Sequence, residues 1–228
     1  MRRKVKLLAS IVLLTTLVIG FGALLRRPSG QDCASLDPDR VAALEKAGWE
    51  AYYDRAWPRV LTLMVQMNRT QFCMSWLDAG LAALDIVRAA AVFAPVDNDL
   101  RAATRHLERF YARAHASAGL RTDAATLAAL EMEYWIVHRD LAAARKAAPG
   151  HTGDIAPMVD ALAKLHAALF AAPHAAIRRS AVARAQAAAT VDRITGGYSE
   201  DVAADWRTIE QQLRTAYRAV IAAPAAAQ

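Results

Sequence analysis

Residues 127–141 read LAALEMEYWIVHRDL, and this stretch decides the fold class of the chain. Apolar side chains recur in it at spacings of three and four: Leu127, Leu130, Tyr134, Val137 and Leu141. That spacing places them on one face of a helix, the pattern of a helix packed against other helices. Thr122 is the predicted N-cap with Asp123 in the first turn, and Pro149-Gly150 ends the helix. The stretch therefore predicts the central helix of a bundle.

Polar side chains follow one edge of this apolar face. Glu131 and His138 fall beside it together with Trp135, so both are expected to be partly buried and to need partners. They could form an acid–base or ligand pair, or a hydrogen-bonded network joining the helix to its neighbours. Seven residues separate them by about 10 Å along a helix, too far to chelate one metal ion. Di-iron bundles use Glu-x-x-His instead, which the chain lacks. The spacing favours the network, and no metal site or cofactor is predicted.

Composition predicts an all-α chain. Alanine dominates, Gly and Pro are sparse, and alternating runs rich in Val, Ile and Thr are absent beyond the N-terminus. We expect a single bundle of six to eight helices behind an N-terminal transmembrane anchor. The predicted segments are an anchor at 1–27, a linker at 28–37, the bundle domain at 38–222 and a disordered tail at 223–228.

The N-terminus has the pattern of a membrane segment. An uncharged apolar run from Leu7 to Leu25 follows the basic MRRKVK start and is about as long as a bilayer-spanning helix. A cleaved signal peptide is the alternative, but Gly20-Phe21-Gly22 is a weak cleavage site, which favours a retained anchor. Four basic residues precede the run and two follow it, so the positive-inside rule favours an extracytoplasmic domain. The predicted location is a bacterial plasma membrane, crossed once.

The charge of the chain argues against nucleic-acid binding. The formal net charge of +6 comes from six basic residues within 1–27, a segment without acidic residues. The rest of the chain holds 22 basic and 22 acidic residues and is formally neutral. A nucleic-acid-binding domain normally keeps a basic excess of its own. The predicted partners are therefore the membrane and, through the domain, another protein or a second copy.

Three further segments carry predictions. Asp37-Pro38 opens a helix through Trp57 whose aromatic face is predicted to be core, with the membrane interface as the alternative. The helix 76–93, capped by Ser75, is apolar almost all round and is predicted to be the most buried of the bundle. Cys33 and Cys73 could pair in an oxidising compartment, although Cys73 has the surroundings of a small core residue.

Two classes of function remain open, and the sequence leaves undecided whether the protein is an enzyme. The first is a non-enzymatic, membrane-anchored interaction or scaffold domain, favoured because no catalytic motif occurs. The second is a helical enzyme or a small-molecule or metal-binding protein with a site between facing helices. The polar residues that could build such a site are Glu131, Glu133, His138, Arg139, Asp97, Asp99, His106 and His166. Around Asp97 and Asp99, helix capping is favoured over cation binding.

Four segments together resemble an uncharacterised family of bacterial all-helical proteins. They are GWEAYYDRAWPRVLTLMVQMNRTQFCMSW (48–76), FAPVDND (93–99), RFYARA (109–114) and LEMEYWIVHRDL (130–141). The resemblance covers roughly residues 40–220. It implies a helical fold and carries over no activity and no catalytic residue.

Overall fold

The computed structural model describes residues 22–26, 36–147 and 154–223. Within these ranges the chain forms helices and no strands, which confirms the predicted all-α class. Besides a single helical turn at 22–25, the described part of the chain has eight helices: α1 (Pro38–Tyr53), α2 (Trp57–Phe72), α3 (Trp76–Phe93), α4 (Leu100–Ala118), α5 (Ala124–Ala147), α6 (Ala156–Phe170), α7 (His174–Thr195) and α8 (Val202–Ala222).

Short polar side chains begin several of these helices. The Asp37 carboxylate accepts hydrogen bonds from the backbone N–H groups of residues 39 and 40, and Pro38 follows it, as predicted. Ser75 caps α3 as predicted by accepting from the Asp78 backbone N–H, while its hydroxyl donates to the Asp78 carboxylate in place of the reciprocal backbone bond of a capping box. At α5 the cap is Asp123 and not the predicted Thr122, whose hydroxyl donates to the carbonyl of Ala168 instead.

The first predicted helix ends earlier than expected. It stops at Tyr53, not at Trp57, and Arg55 has a positive φ of 57°. The chain turns there, and α2 begins at Trp57 with Pro58 in its first turn. This break sets α1 and α2 side by side, so the aromatic residues around it lie at the end of two helices.

The eight helices of the described ranges close into a ring. Each packs mainly on the helix before it and the helix after it, and α8 packs back on α1. Connections of a few residues make successive helices antiparallel. Eight helices about 9 Å apart around a circle have axes about 12 Å from the centre, while a helix with its side chains reaches only about 5 Å inward. Unless such a ring flattens completely, its centre stays open.

Three clusters of buried apolar side chains fill the seams between neighbouring helices. One is centred on Leu107 and Leu127, the second on Leu162 and Ile177, and the third on Leu213. Alanine is abundant in the first two, which lets helix axes approach closely but contributes little volume. Helix α5 contributes to the first two clusters, but it packs mainly on α4 and α6, so the predicted central place of residues 127–141 is wrong: among the described helices, none is central to the ring.

The prediction that α3 is the most buried helix is wrong. Its boundaries agree with the prediction, but Leu77, Leu81 and Leu84 form an exposed apolar row on its outer face. Buried alanines and Asp85, which is 3 % exposed, lie at the seams with its neighbours. A helix in a ring has one outer side, so even an almost wholly apolar helix presents side chains to the surroundings.

The predicted anchor and linker lie largely outside the described residues. Of the run from Leu7 to Leu25 only 22–25 is described, and of the linker and the tail only 36–37 and 223. Among helices in the described ranges, none combines the length and apolar character needed to span a bilayer. Cys73 is in a disulfide bond, so its interpretation as a small core thiol is wrong.

Candidate functional site

The ring encloses a large cavity of about 530 Å³. All eight helices contribute to its wall, which is mainly apolar and aromatic. Its size falls within the range of about 300–1,000 Å³ that small-molecule sites occupy. A small set of polar side chains also faces it, among them Glu131, His138, Arg139 and His166 from the predicted candidates. The structure therefore brings half of the predicted residues to a single cavity.

Glu131 borders the cavity from α5. Its Oε2 accepts a hydrogen bond of 2.9 Å from the Tyr111 hydroxyl of α4, and its Oε1 accepts one of 2.7 Å from the Trp135 indole N–H. The side chain remains partly accessible, through the cavity, although protein surrounds it on its other sides. Burial raises the pKa of Glu131, and the positive charge of Arg184 acts in the opposite direction.

Glu45 and Arg184 form a buried ion pair in the same wall. The guanidinium Nη1 of Arg184 lies 2.6 Å from the Glu45 Oε1, and the Tyr217 hydroxyl donates to the other carboxylate oxygen at 2.6 Å. These three residues join α1, α7 and α8 where the ring closes. Burial opposes the charged form of Arg184 most strongly of any single influence, but Glu45, Tyr217, Tyr134 and Glu131 together outweigh it, so the pKa of Arg184 lies above its ordinary value.

Two of these residues lie at positions in the sequence that indicate burial. Glu45 falls four residues after Val41 and four before Trp49, which puts a carboxylate within the apolar face of α1. Arg184 lies on the face of Ile177 and Val191, seven residues from each. A charge on an otherwise apolar face indicates a buried partner.

His166 faces the cavity from α6 and is paired with Ser180. Its Nδ1 lies 3.0 Å from the Ser180 hydroxyl of α7, and both residues are buried. Burial, with a further contribution from Arg184, lowers the pKa of His166 to about 3. An imidazole with so low a pKa is a weak base, and within the described residues it has no carboxylate partner. Ser180 and His166 are thus in contact as a nucleophile and its base would be, but His166 is too weakly basic to take up the serine proton.

His138 belongs to a second polar cluster nearer the end of the ring. Its Nε2 lies 3.0 Å from Asp192 of α7, and its ring stacks on Tyr134 with centroids 5.8 Å apart. Asp192 also accepts a hydrogen bond of 2.5 Å from Arg145, and this carboxylate–guanidinium pair is buried. Glu131 and His138 thus have separate partners on α4 and α7, as the network interpretation predicts, while both face the cavity.

The cavity opens where aromatic side chains are exposed. Tyr52, Tyr53 and Trp57 line it and are between 41 % and 54 % exposed. The predicted core face of this segment is therefore wrong for these three rings, because the break at Arg55 carries them to the edge of the bundle. Arg139 lies at another part of the rim, where its guanidinium stacks on Phe93 and donates to the Phe93 carbonyl.

The remaining predicted residues lie elsewhere. Glu133 forms a partly exposed ion pair of 2.7 Å with Lys164. His106 contacts Arg109 and lies 3.9 Å from Asp85, at the seam between α3 and α4. Asp97 is exposed in the turn after α3, and Asp99 caps α4 by accepting from the N–H of residue 102 at 2.8 Å. The capping interpretation is confirmed for Asp99.

The polar residues of the wall do not group into a metal site. Across residues 22–26, 36–147 and 154–223, no three His, Cys, Asp or Glu side chains converge closely enough to hold a metal ion. Glu131 and His166 each contact hydroxyl or N–H groups instead. The arrangement can hold polar parts of an organic molecule by hydrogen bonds and charge.

Comparison with known proteins adds no assignment. No family model matches the chain, and neither the curated proteins nor the solved structures contain a match. The resemblance of the four segments to a bacterial helical family stays a prediction. The function has to be argued from the cavity.

Proposed function

We propose that this domain binds an apolar or amphiphilic small molecule inside its ring of helices. The observation that carries the proposal is the cavity of about 530 Å³ walled by all eight helices. An apolar ligand in a cavity of that size makes packing contacts along the lining and removes its own apolar surface from water. Of the two classes of function left open by the sequence, the geometry supports a small-molecule site with Glu131, His138 and Arg139 in its wall.

Binding is favoured over catalysis by the polar groups themselves. The hydroxyl–imidazole contact of Ser180 and His166 includes a base whose pKa is held near 3. Nucleophilic catalysis requires a base that takes up a proton near the working pH. Methionine and aromatic side chains, by contrast, adapt to ligands of varied shape, and Met64, Met67 and Trp49 line the cavity.

The matched substitutions Gly48→Leu and Gly80→Leu test this function. Gly48 lines the cavity, and a Cβ added there meets no atom within 4 Å, so a larger side chain starts from open space beside the cavity. A Cβ at Gly80 of α3 is equally free, but Gly80 is not part of the wall. Both changes remove a helix-interior glycine, so each should leave the domain as stable or stabilise it by up to about 1 kcal/mol.

Binding of a neutral apolar fluorophore, N-phenyl-1-naphthylamine, to the full-length chain in lipid nanodiscs is the measurement. We expect the wild type and Gly80→Leu to bind one molecule per chain above the background of empty nanodiscs. Gly48→Leu should bind at least about tenfold more weakly, since the lost contacts of a few carbon atoms exceed 1.4 kcal/mol. Equal binding by all three proteins would show that the probe binds outside the cavity, and the proposal would fail.

We also propose that residues 1–27 anchor the domain to the outer face of a plasma membrane. The disulfide bond of Cys73 supports an oxidising compartment. Arg69 donates to the carbonyl of Arg26 at 3.5 Å and stacks on Trp76 at 4.0 Å, so the chain enters the bundle at the start of α3. The exposed apolar row of α3 begins there, beside the end of the predicted anchor.

A reporter enzyme that is active only outside the cytoplasm, fused after Gln228, tests this location. We expect activity from the full chain and none when residues 1–27 are deleted, because the apolar segment directs export. Alkaline extraction of membranes should leave the fusion in the membrane fraction. Activity of a reporter that works only in the cytoplasm would refute the orientation, and release on extraction would refute the retained anchor.

A further inference from the structure

Glu131 presents a carboxylate to the cavity without a cation in contact. Its two hydrogen bonds come from the neutral groups of Tyr111 and Trp135, at 2.9 and 2.7 Å. No lysine, arginine or histidine nitrogen among the described residues lies within 4.0 Å of its oxygens. An ionised carboxylate has about four acceptor positions, so about two remain open toward the cavity. A carboxylate this enclosed is stabilised strongly by a positive group placed beside it.

The charges next to Glu131 also favour a cationic ligand. Arg184 is 2.6 Å from Glu45, so the guanidinium in this part of the wall is already paired with another carboxylate. The group of Glu45, Glu131 and Arg184 has a formal charge of −1 when both acids are ionised. A cationic ligand brings the group to neutrality, and an anionic ligand takes it to −2. Because these groups are removed from water, burying an anionic ligand beside them costs much free energy.

The other titratable groups of the wall do not supply the missing charge. His166 is held neutral at physiological pH by its burial, with its Nδ1 on Ser180. Arg139 is eight residues from Glu131 on the same helix, about 12 Å along the axis, and is held at the rim by the Phe93 carbonyl and ring. His138 lies between them in sequence and is directed to Asp192. Within the described part of the chain, Glu131 therefore has open space on its cavity side and no counter-ion there.

Aromatic rings surround the carboxylate. Tyr111 and Trp135 touch it directly, and Tyr134 precedes Trp135 in the wall. Faces of tyrosine and tryptophan attract ammonium groups, and an aromatic site with one carboxylate is how proteins recognise quaternary ammonium ions. The rest of the wall includes aliphatic and thioether side chains such as Leu63 and Met64, and further aromatic rings such as Trp49. The cavity thus has an anionic group within a wall that is mainly apolar and aromatic.

We propose that the cavity takes a cationic amphiphile, an alkyl or aryl amine whose ammonium group pairs with Glu131 among Tyr111, Tyr134 and Trp135 while its apolar part fills the rest. The inference rests on the proposed binding function and adds to it the charge of the ligand. The ion pair and the aromatic faces supply selectivity, and the apolar wall supplies most of the affinity.

The test compares three ligands with the same twelve-carbon chain: dodecyltrimethylammonium, dodecanol and dodecanoate. Each displaces N-phenyl-1-naphthylamine from the full-length chain in zwitterionic nanodiscs, with Gly48→Leu as the background. The two ionic ligands are kept below their micellar concentrations and dodecanol below its solubility limit. We expect the cation to bind about tenfold or more tightly than the alcohol, and the anion more weakly than both. One such factor corresponds to about 1.4 kcal/mol, within the range of a desolvated cation–π contact or ion pair.

Glu131→Gln should remove the preference for the cation over dodecanol, because glutamine keeps an acceptor for Tyr111 or Trp135 but carries no charge. Glu133→Gln is the matched control, two residues away and paired with Lys164 at the surface, and should change nothing. The selectivity of the wild type stands as a readout even if the Glu131→Gln variant folds poorly.

The outcomes separate the two proposals. Equal affinity of the wild type for cation and alcohol, or tighter binding of the anion, would overturn the cation inference and leave the binding function intact. No displacement beyond that of Gly48→Leu by any of the three ligands, together with failure of the fluorophore to bind, would overturn both. A preference for the cation that persists in Glu131→Gln would assign it to another group and also overturn the inference.

Discussion

Replacing Arg184 by methionine is expected to lower the free energy of unfolding by about 3–5 kcal/mol, the largest effect of any single substitution considered for this domain. The guanidinium and the Glu45 carboxylate lie 2.6 Å apart with side-chain exposures of 18 % and 5 %. Methionine has similar length and no charge, so it leaves the Glu45 carboxylate buried with a neutral partner, the Tyr217 hydroxyl, and without its cation. A buried charge without its counter-ion accounts for the size of the loss.

The control is Arg178→Met, six residues earlier on the same helix. Arg178 pairs with Asp160 at 2.8 Å, but both side chains are more than half exposed. Exposed pairs contribute at most about 1 kcal/mol, so this variant should unfold close to the wild type. Urea unfolding followed by circular dichroism at pH 7 measures both, with unchanged slopes showing that the same surface is exposed.

The double variant Glu45→Gln/Arg184→Met separates charge from packing. With both charges removed and an amide oxygen left for Tyr217, its free energy of unfolding should return to within about 1 kcal/mol of the wild type, as for other buried pairs replaced together. Losses that simply add in the double variant would show that Arg184 acts through its packing alone. Equal effects of Arg184→Met and Arg178→Met would contradict the burial of the pair.

The Glu45–Arg184 pair lies where α8 packs on α1, a long-range contact that local sequence patterns do not predict. Local signals were sufficient for α3, whose cap at Ser75 and end at Phe93 follow from side chains within the segment. The closure of α8 on α1 is different, because Tyr217 and Glu45 are 172 residues apart and no local pattern relates them. Without that closure there is no ring, and the open centre of the ring cannot be predicted from the periodicity of its helices.

The same limit applies to the cavity wall. Periodicity correctly identified Glu131 and His138 as partly buried groups with partners on other helices, but it could not say that they border open space. In a two-layer bundle the side of α5 that holds them would be filled by facing side chains. The spacing of Glu131 and His138 excluded a shared metal ion but gave no information about an organic ligand. Tyr52 and Trp57 show the opposite error: their apolar face was predicted to be core, but both rings are exposed and line the opening of the cavity.

Acidification is expected to destabilise the domain through His166. Its pKa is about 3 in the folded chain and about 6.5 when unfolded, so between these values the unfolded state binds a proton that the folded state does not. The free energy of unfolding therefore rises with pH across this window. As the pH falls below 6.5 toward 3, the contribution of His166 decreases by about 1.4 kcal/mol per pH unit. Above pH 6.5 both states are neutral and His166 contributes no slope.

Urea unfolding of the wild type and His166→Gln between pH 4.5 and 8 measures this contribution. At pH 4.5 the wild type should have lost about 2.5 kcal/mol through His166, while the His166→Gln variant lacks that part of the slope, because an amide does not titrate. Groups other than His166 affect both proteins alike and cancel in the difference. His115→Gln, at an exposed position on α4, is the control and should follow the wild type. Parallel profiles for the wild type and His166→Gln would show that the imidazole is protonated in the folded domain, and with it that the wall of the cavity around Ser180 admits enough water to solvate a charge.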